Sequence, residues 1–209
     1  MNGDSRLPGG RGRRSVHAGE AGHSLVEALV AAALAVTLAG MAAPCLTGQR
    51  DAVNATAAAR HLGALVYRTR AESLSGGSHT GLVFQVLASG IRMGEFVDGN
   101  RNGIRTVDIT NGVDRQVTPW VCLGDDFPRA AIGIAPGVTD PESGAVLTGS
   151  PLKLGGSSIL SFGPDGTATS GTVYVRGPAA QQFAVRVLGA TGRSRVLRYD
   201  FRSKTWADP

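Results

Sequence analysis

One carboxylate stands out because its surroundings are otherwise apolar. Glu27 is followed by a stretch from Ala28 to Gln49 that contains no charged residue. About 20 apolar residues can cross a bilayer as a helix, and a carboxylate inside such a span costs roughly 2.5–3.5 kcal/mol. A carboxylate kept at that cost is by default functional, so we expect Glu27 to need a cationic partner.

A second group of residues that could do chemistry lies near the end of the chain, where arginines cluster. The residues Ala190-Thr191-Gly192 predict a turn between two strands, which places Arg193 at an exposed tip. In the extended strand that follows, Arg193 and Arg195 should point to one side and Arg198 to the other. The adjoining strands and tail add Arg186, Arg202 and Lys204.

These arginines suit a phosphate ligand. Guanidinium groups match the geometry of phosphate oxygens, and such contacts hold nucleic acid without reading its sequence. The charge balance agrees: residues 176–209 hold seven basic and two acidic residues, whereas residues 23–175 hold ten basic and twelve acidic ones. The pattern predicts a nucleic-acid-binding hairpin of Arg193, Arg195, Arg198, Arg186 and Lys204. A solvated basic hairpin without a ligand is the alternative.

A third motif combines oxygen-bearing side chains with glycine. The run Asp98-Gly99-Asn100-Arg101-Asn102-Gly103 matches the first half of a calcium loop. The second half does not match, because Ile109 stands where a bidentate glutamate should be. We therefore favour an Asn/Gly turn between two strands, and we predict no metal site.

No catalytic set is recognisable in the sequence. The four histidines have no Cys or carboxylate at a suggestive spacing, and no glycine-rich phosphate loop is present. The two cysteines, Cys45 and Cys122, have no metal-ligand spacing, and we do not expect a disulfide between them. The sequence predicts a protein that is not an enzyme and has no cofactor.

The elements that position these residues begin with a basic leader, residues 1–22. An apolar helix should follow over residues 23–49 and continue into a domain of residues 50–209, to about residue 75. Gly76-Gly77 is the predicted stop. Proline lacks an N–H and crowds the carbonyl four residues earlier, so Pro44 and Gly40 should mark a kink. The apolar stripe comprises Ala55, Ala58, Leu62, Leu65, Val66 and Thr69.

Strand patterns replace the helical period after Ser78. Residues 81–87 and 91–97 predict a hairpin joined by residues 88–90. Residues 124–150 are rich in Gly, Pro and Asp and predict a long irregular loop. One long helix before a sheet predicts an α+β fold, with the helix stripe buried against one sheet face. Later predicted strands are Arg105–Ile109, Gln116–Leu123, Ser158–Phe162, Thr172–Arg176, Gln182–Leu188 and Arg195–Phe201.

The N-terminal segment resembles the class III signal of type IV pilins and pseudopilins. The features on which this resemblance rests are a basic leader ending at Gly22, a carboxylate five residues later, the apolar run and a proline at position 44. A Sec signal peptide or a lipoprotein signal using Cys45 fits less well, because Glu27 lies near the start of the apolar run and Pro44 precedes the cysteine. The C-terminal order of strands and the string 192–195 are similar to FimT/GspH-type minor pilins.

The resemblance implies a fold, a maturation path and a function. The fold would be a pilin fold, a long N-terminal helix with a membrane-spanning first half packed on an antiparallel β-sheet domain. A prepilin peptidase would cut between Gly22 and His23, and His23 would become N-methylated. In that family the carboxylate matching Glu27 pairs with the terminal amine of a neighbouring subunit during filament assembly.

The expected role is that of a FimT-like minor pilin of a type IV pilus that binds double-stranded DNA for natural transformation. Its partners would be the prepilin peptidase, other major and minor pilins, the inner membrane and DNA. It would reside in the bacterial inner membrane as a single-pass protein with a periplasmic domain, then in a pilus or pseudopilus filament. Two alternatives are a GspH-like minor pseudopilin of a type II secretion system and a minor pilin that only primes pilus assembly.

Overall fold

The computed structural model describes residues 24–178 and 180–209, with the backbone alone for residues 40–47. The chain divides into two compact units, residues 1–43 and residues 44–209. The elements of the described residues, in chain order, are α1 Leu25–Gly76, β1 Thr80–Leu87, β2 Gly90–Val97, α2 Thr106–Thr110, β3 Arg115–Gln116, β4 Val121–Cys122, α3 Leu123–Asp126, β5 Ala131–Ile132, β6 Leu152–Lys153, β7 Ile159–Phe162, β8 Gly171–Gly177, β9 Gln181–Leu188, β10 Arg193–Asp200 and β11 Thr205–Ala207.

Helix α1 has a defined signal at each end. The Oγ atom of Ser24 accepts a hydrogen bond from the N–H of Glu27 at 3.2 Å, as a serine at a helix N-cap does. At the other end Gly77 has φ +64° and donates its N–H to the carbonyl of Ser73 at 3.1 Å. Glycine reaches that left-handed conformation without a steric cost, so the predicted stop at Gly76-Gly77 is confirmed.

The predicted apolar stripe of α1 is the centre of the core. Ala55, Ala58, Leu62, Val66 and Thr69 are completely buried. Their small and branched side chains allow a close approach of the strands: a Cβ atom on Gly63 would lie only 2.7 Å from Cγ2 of Val196 in β10. Such close packing makes the stripe intolerant of larger side chains.

The strands of the described residues form two antiparallel sheets. The first has the order β3-β2-β1-β7, with β4 also pairing with β2, and the second has the order β11-β10-β9-β8-β5, with β6 also pairing with β8. The predicted β1–β2 hairpin is confirmed, with Leu87 opposite Gly90 at its closed end. One apolar cluster joins α1 to both sheets and includes Leu62, Phe84, Met93, Phe183 and Val185.

The predicted pilin fold is wrong in two respects. About 20 consecutive apolar residues are needed for a transmembrane helix, and no helix in the part of the chain described here meets that requirement, so the membrane-spanning first half is not found. The described strands also form two sheets instead of one, because the apolar residues of α1 are buried in one cluster with residues of both sheets. The structure is a mixed helix and sheet arrangement with α1 packed against residues of both sheets.

Three local predictions are also corrected. Residues 106–110 form helix α2 instead of a strand, and the carbonyl of Asp108 accepts the N–H groups of Val113 and Asp114, which closes a compact loop. The predicted strand Gln116–Leu123 divides into β3, β4 and the start of α3. The predicted loop 124–150 contains β5 and covers the outer face of the second sheet, where Val138 and Tyr199 are buried.

Candidate nucleic-acid interface

The turn between β9 and β10 presents the predicted basic hairpin. The turn comprises residues 189–192. The carbonyl of Leu188 closes it by accepting hydrogen bonds from the N–H groups of Thr191 at 3.3 Å and Gly192 at 2.8 Å. Gly192 has φ +61° and is buried. A Cβ atom there would lie 2.8 Å from Nε of Arg70 and 2.8 Å from the carbonyl oxygen of Gly166. Glycine is therefore required both by the backbone conformation and by the arginine that lies against it.

The register of β9 and β10 brings three predicted arginines together. Arg195 lies directly opposite Arg186, and Arg193 lies opposite Leu188. Residues two apart in a strand share a face, so Arg193, Arg195 and Arg186 lie on the same side of the hairpin. Together with Leu188 and Leu197 they line a cavity of about 210 Å³.

The other two predicted residues lie elsewhere. Arg198 is opposite Phe183, a core residue, so it belongs to the opposite face of the hairpin and is exposed at its border. Lys204 lies in the turn between β10 and β11 with φ +55°. The structure therefore gathers Arg186, Arg193 and Arg195 and leaves these two cations outside the cluster.

Two of the clustered arginines are paired with exposed carboxylates. Nη2 of Arg195 lies 3.0 Å and 3.1 Å from the two carboxylate oxygens of Asp208, and Arg186 pairs with Glu142. Within the described residues, no carboxylate lies within ion-pairing distance of Arg193. Exposed ion pairs contribute only about 0–1 kcal/mol, so a phosphate can replace either carboxylate at little cost.

Helix α1 adds two residues to this region that the sequence analysis did not connect with the hairpin. Tyr67 is 67% exposed, and Arg70 lies one turn further along the same side of the helix. The Nε atom of Arg70 is buried and has no hydrogen-bond partner. Both residues line a groove of about 500 Å³, together with Leu188, Gly192, Arg193, Ser194 and Arg195. No sequence signal links positions 67 and 70 to the turn, because the contact depends on how α1 packs on the sheet.

The Asp98 motif forms a turn closed by backbone hydrogen bonds. Oδ1 of Asp98 accepts the N–H groups of Asn100 at 2.9 Å and Arg101 at 2.7 Å, and Oδ2 accepts that of Gly103 at 2.6 Å. Burial alone would raise the pKa of Asp98, but these hydrogen bonds outweigh it and lower the pKa below its ordinary value. Among the described residues, no group of three or more His, Cys, Asp or Glu side chains is placed to hold a metal ion.

The predicted maturation and assembly residues lie at the start of the chain. Gly22 and His23 are outside the described residues, so cleavage and methylation stay predictions. Glu27 is in the first turn of α1, where a carboxylate interacts favourably with the helix dipole. The helix continues through Gly40 and Pro44, whose side chains are not described, and the kink stays a prediction.

Comparison with known proteins adds no relative. No family model, no curated protein and no solved structure matches this chain.

Proposed function

We propose that this chain is a FimT-like minor pilin that binds double-stranded DNA through the β9–β10 hairpin. The observation that carries the proposal is the cluster of Arg186, Arg193 and Arg195 on one face of that hairpin. Arg70 approaches the same turn from α1. The region thus contains four arginines and only two carboxylates paired with them, which leaves a local excess of positive charge suited to a polyanion.

The arrangement fits contact with a DNA backbone and not with base edges. Arg193 is exposed beside the turn and pairs with no carboxylate of the described residues, while Arg195 and Arg186 hold carboxylates that a phosphate can displace. A two-stranded ribbon presenting arginines in this way holds phosphates without reading sequence. The expected binding is therefore weak, salt-dependent and indifferent to sequence, as an uptake function requires.

The filament part of the proposal is supported by the start of the chain. Prepilin peptidase would cut after Gly22, and the new amine at His23 would pair with Glu27 of a neighbouring subunit. The subunit would lie at the bacterial inner membrane before assembly and in the filament afterwards, among other major and minor pilins. It assigns no catalytic activity and no cofactor to the chain.

The test is DNA binding by the full chain, titrated against salt. Each phosphate neutralised should contribute about −0.9 to the log–log slope, so three arginines predict a slope of about −3 on duplex DNA. Arg193→Ala with Arg195→Ala should reduce the magnitude of the slope by about 2. The control is Arg105→Ala with Arg115→Ala, which removes the same charge from two exposed arginines outside the hairpin. A slope that falls equally in both double variants would refute a site at the hairpin.

A second arm separates the class of protein from its specific role. Glu27→Ala should abolish incorporation into the filament, and normal incorporation of this variant would refute the pilin assignment. Loss of DNA uptake with intact pili in the Arg193/Arg195 variant supports the DNA role. Unchanged uptake and binding would leave priming of assembly, or a GspH-like role in secretion, as the better description.

A further inference from the structure

The groove between α1 and the β9–β10 turn has features that a duplex-binding hairpin does not need. Tyr67 is 67% exposed although it lies beside the buried stripe of α1, and its ring lines the groove together with Arg70, Arg193 and Arg195. A volume of about 500 Å³ is in the range of sites for small ligands. An aromatic ring among guanidinium groups is the combination found in sites for single-stranded nucleic acid.

The geometry separates two kinds of contact. Arg193 and Arg195 line the groove from the edge of β10, whereas Tyr67 and Arg70 line it from α1 and are three residues apart, so they share one face of α1. The buried Nε of Arg70 would lie only 2.8 Å from a Cβ atom on Gly192, so this arginine packs directly against the turn. A cation held close to an exposed aromatic ring by packing is suited to a phosphate and its attached base.

We propose that this groove binds an unpaired nucleotide at the end of a DNA strand. Tyr67 stacks on the base, and Arg70 and Arg193 contact the phosphates that flank it. The bases of an intact duplex are stacked on each other, so Tyr67 gains a partner only at a frayed end, an overhang or a single strand. This inference rests on the proposed function, because it assumes that the hairpin binds the DNA backbone.

The experiment compares two probes on the full chain, a blunt duplex and the same duplex with a 3′ overhang of five thymidines. The quantity measured is the ratio of the two affinities by fluorescence anisotropy. Stacking on one aromatic ring changes affinity by about tenfold, so we expect a ratio of about ten in favour of the overhang. Tyr67→Ala should reduce that ratio to about one, and Tyr67→Phe should retain it because the ring is kept.

The matched control is Val53→Ala, another exposed apolar residue of α1 that lies outside the groove, and it should retain the ratio. A ratio near one in the unmodified chain, or a ratio unaffected by Tyr67→Ala, would overturn this inference alone, provided that duplex binding still depends on Arg193 and Arg195. Absence of binding to both probes would overturn the proposed function together with it. The two failures are therefore distinguishable.

Discussion

Arg68 and Glu95 form the ionic contact that ties α1 to the β1–β2 hairpin, and its loss should be asymmetric. Glu95 is 1% exposed, and its Oε2 atom lies 2.5 Å from Nη2 of Arg68. Its Oε1 atom accepts the hydroxyl of Thr69 at 2.8 Å. Arg68 is half exposed and reaches Glu72 as well, at 3.3 Å. The carboxylate of Glu95 is thus buried in the interior, whereas the guanidinium of Arg68 is accessible to water.

The two single variants should therefore differ in cost. Arg68→Met leaves a buried charge without its cation, beside the Thr69 hydroxyl and the Glu72 carboxyl group. Breaking a fully buried pair costs about 3–5 kcal/mol, and partial access of water reduces this to about 2–3 kcal/mol. Glu95→Met leaves an arginine that water can solvate, and Thr69 keeps its hydrogen bond to the Leu65 carbonyl, so we expect about 1 kcal/mol. The double variant should cost no more than Glu95→Met, because no uncompensated charge is left.

The assay is urea unfolding of the full chain followed by tryptophan fluorescence, with all four members of the double-variant cycle. Trp120 lies two residues after Thr118, whose hydroxyl accepts the N–H of Glu95, so it reports on this region. Equal costs for the two single variants, or a double variant as unstable as Arg68→Met, would refute the reasoning. Either result would mean that the carboxylate is solvated or that the pair contributes only packing.

Glu72 provides a pH check on the same contact. Burial, together with a hydrogen bond and repulsion from Glu95, raises the pKa of Glu72, and Arg68 opposes that rise. A carboxyl group whose pKa is raised in the folded state stabilises the fold most at pH values below its unfolded pKa. That stabilisation is lost as the pH rises through the folded pKa. The cost of Arg68→Met should therefore be smaller at pH 4 than at pH 7. A cost independent of pH would contradict the coupling.

Three further predictions concern the turns and the hairpin. Asp98→Ala should lower the free energy of unfolding by about 2–4 kcal/mol at pH 7, as measured by urea unfolding. Because the pKa of Asp98 is lowered in the folded state, this loss should disappear as the pH falls through that folded pKa. A loss of equal size at pH 2 would contradict the hydrogen-bonding account. Gly192→Ala should lower the free energy of unfolding by about 2–3 kcal/mol, and Gly155→Ala by only about 1 kcal/mol. Both glycines have positive φ, but Gly155 has open space around it. Equal losses would mean that the contact of Gly192 with Arg70 is unimportant. Asp208→Asn should raise the affinity for duplex DNA about two- to fivefold, because it releases Arg195 from its ion pair. Asp126→Asn makes the same charge change at an exposed site outside the hairpin and should have less effect. Equal increases would indicate that only the net charge of the protein matters.

Periodicity in the sequence predicted the parts of the fold that local patterns determine. The spacing of Ala55, Ala58, Leu62 and Val66 predicted the buried face of α1, and alternation predicted β1, β2, β8 and β9 within one residue or so. The same reasoning failed at the predicted strand Arg105–Ile109. Its Thr, Val and Ile favour a strand, but the N–H groups of Ile109 and Asn111 donate to the carbonyls four residues earlier and form a helical turn. Local propensity is overridden there by contacts within the loop.

The candidate site was predicted only where its residues are neighbours along β10 or across one hairpin. Arg193 and Arg195 share a face because of strand alternation, and that rule needs no tertiary information. The pairing of Arg195 with Asp208 depends on the register of β10 and β11, and the approach of Arg70 to Gly192 depends on how α1 packs on the sheet. The second sheet was missed for the same reason, because no local pattern indicates which strands will pair.

The central position of α1 has a consequence for the order of folding. The stripe on α1 is synthesised about 100 residues before β9 and β10, which cover part of it. Val196 can close over Gly63 only after the 133 residues that follow Gly63, up to Val196 itself, have been synthesised (196 − 63). Contacts between segments so far apart slow folding and leave apolar surface open to aggregation meanwhile. The nascent chain should therefore depend on a holding chaperone until its last strands are released, and truncation after β8 should leave an insoluble product.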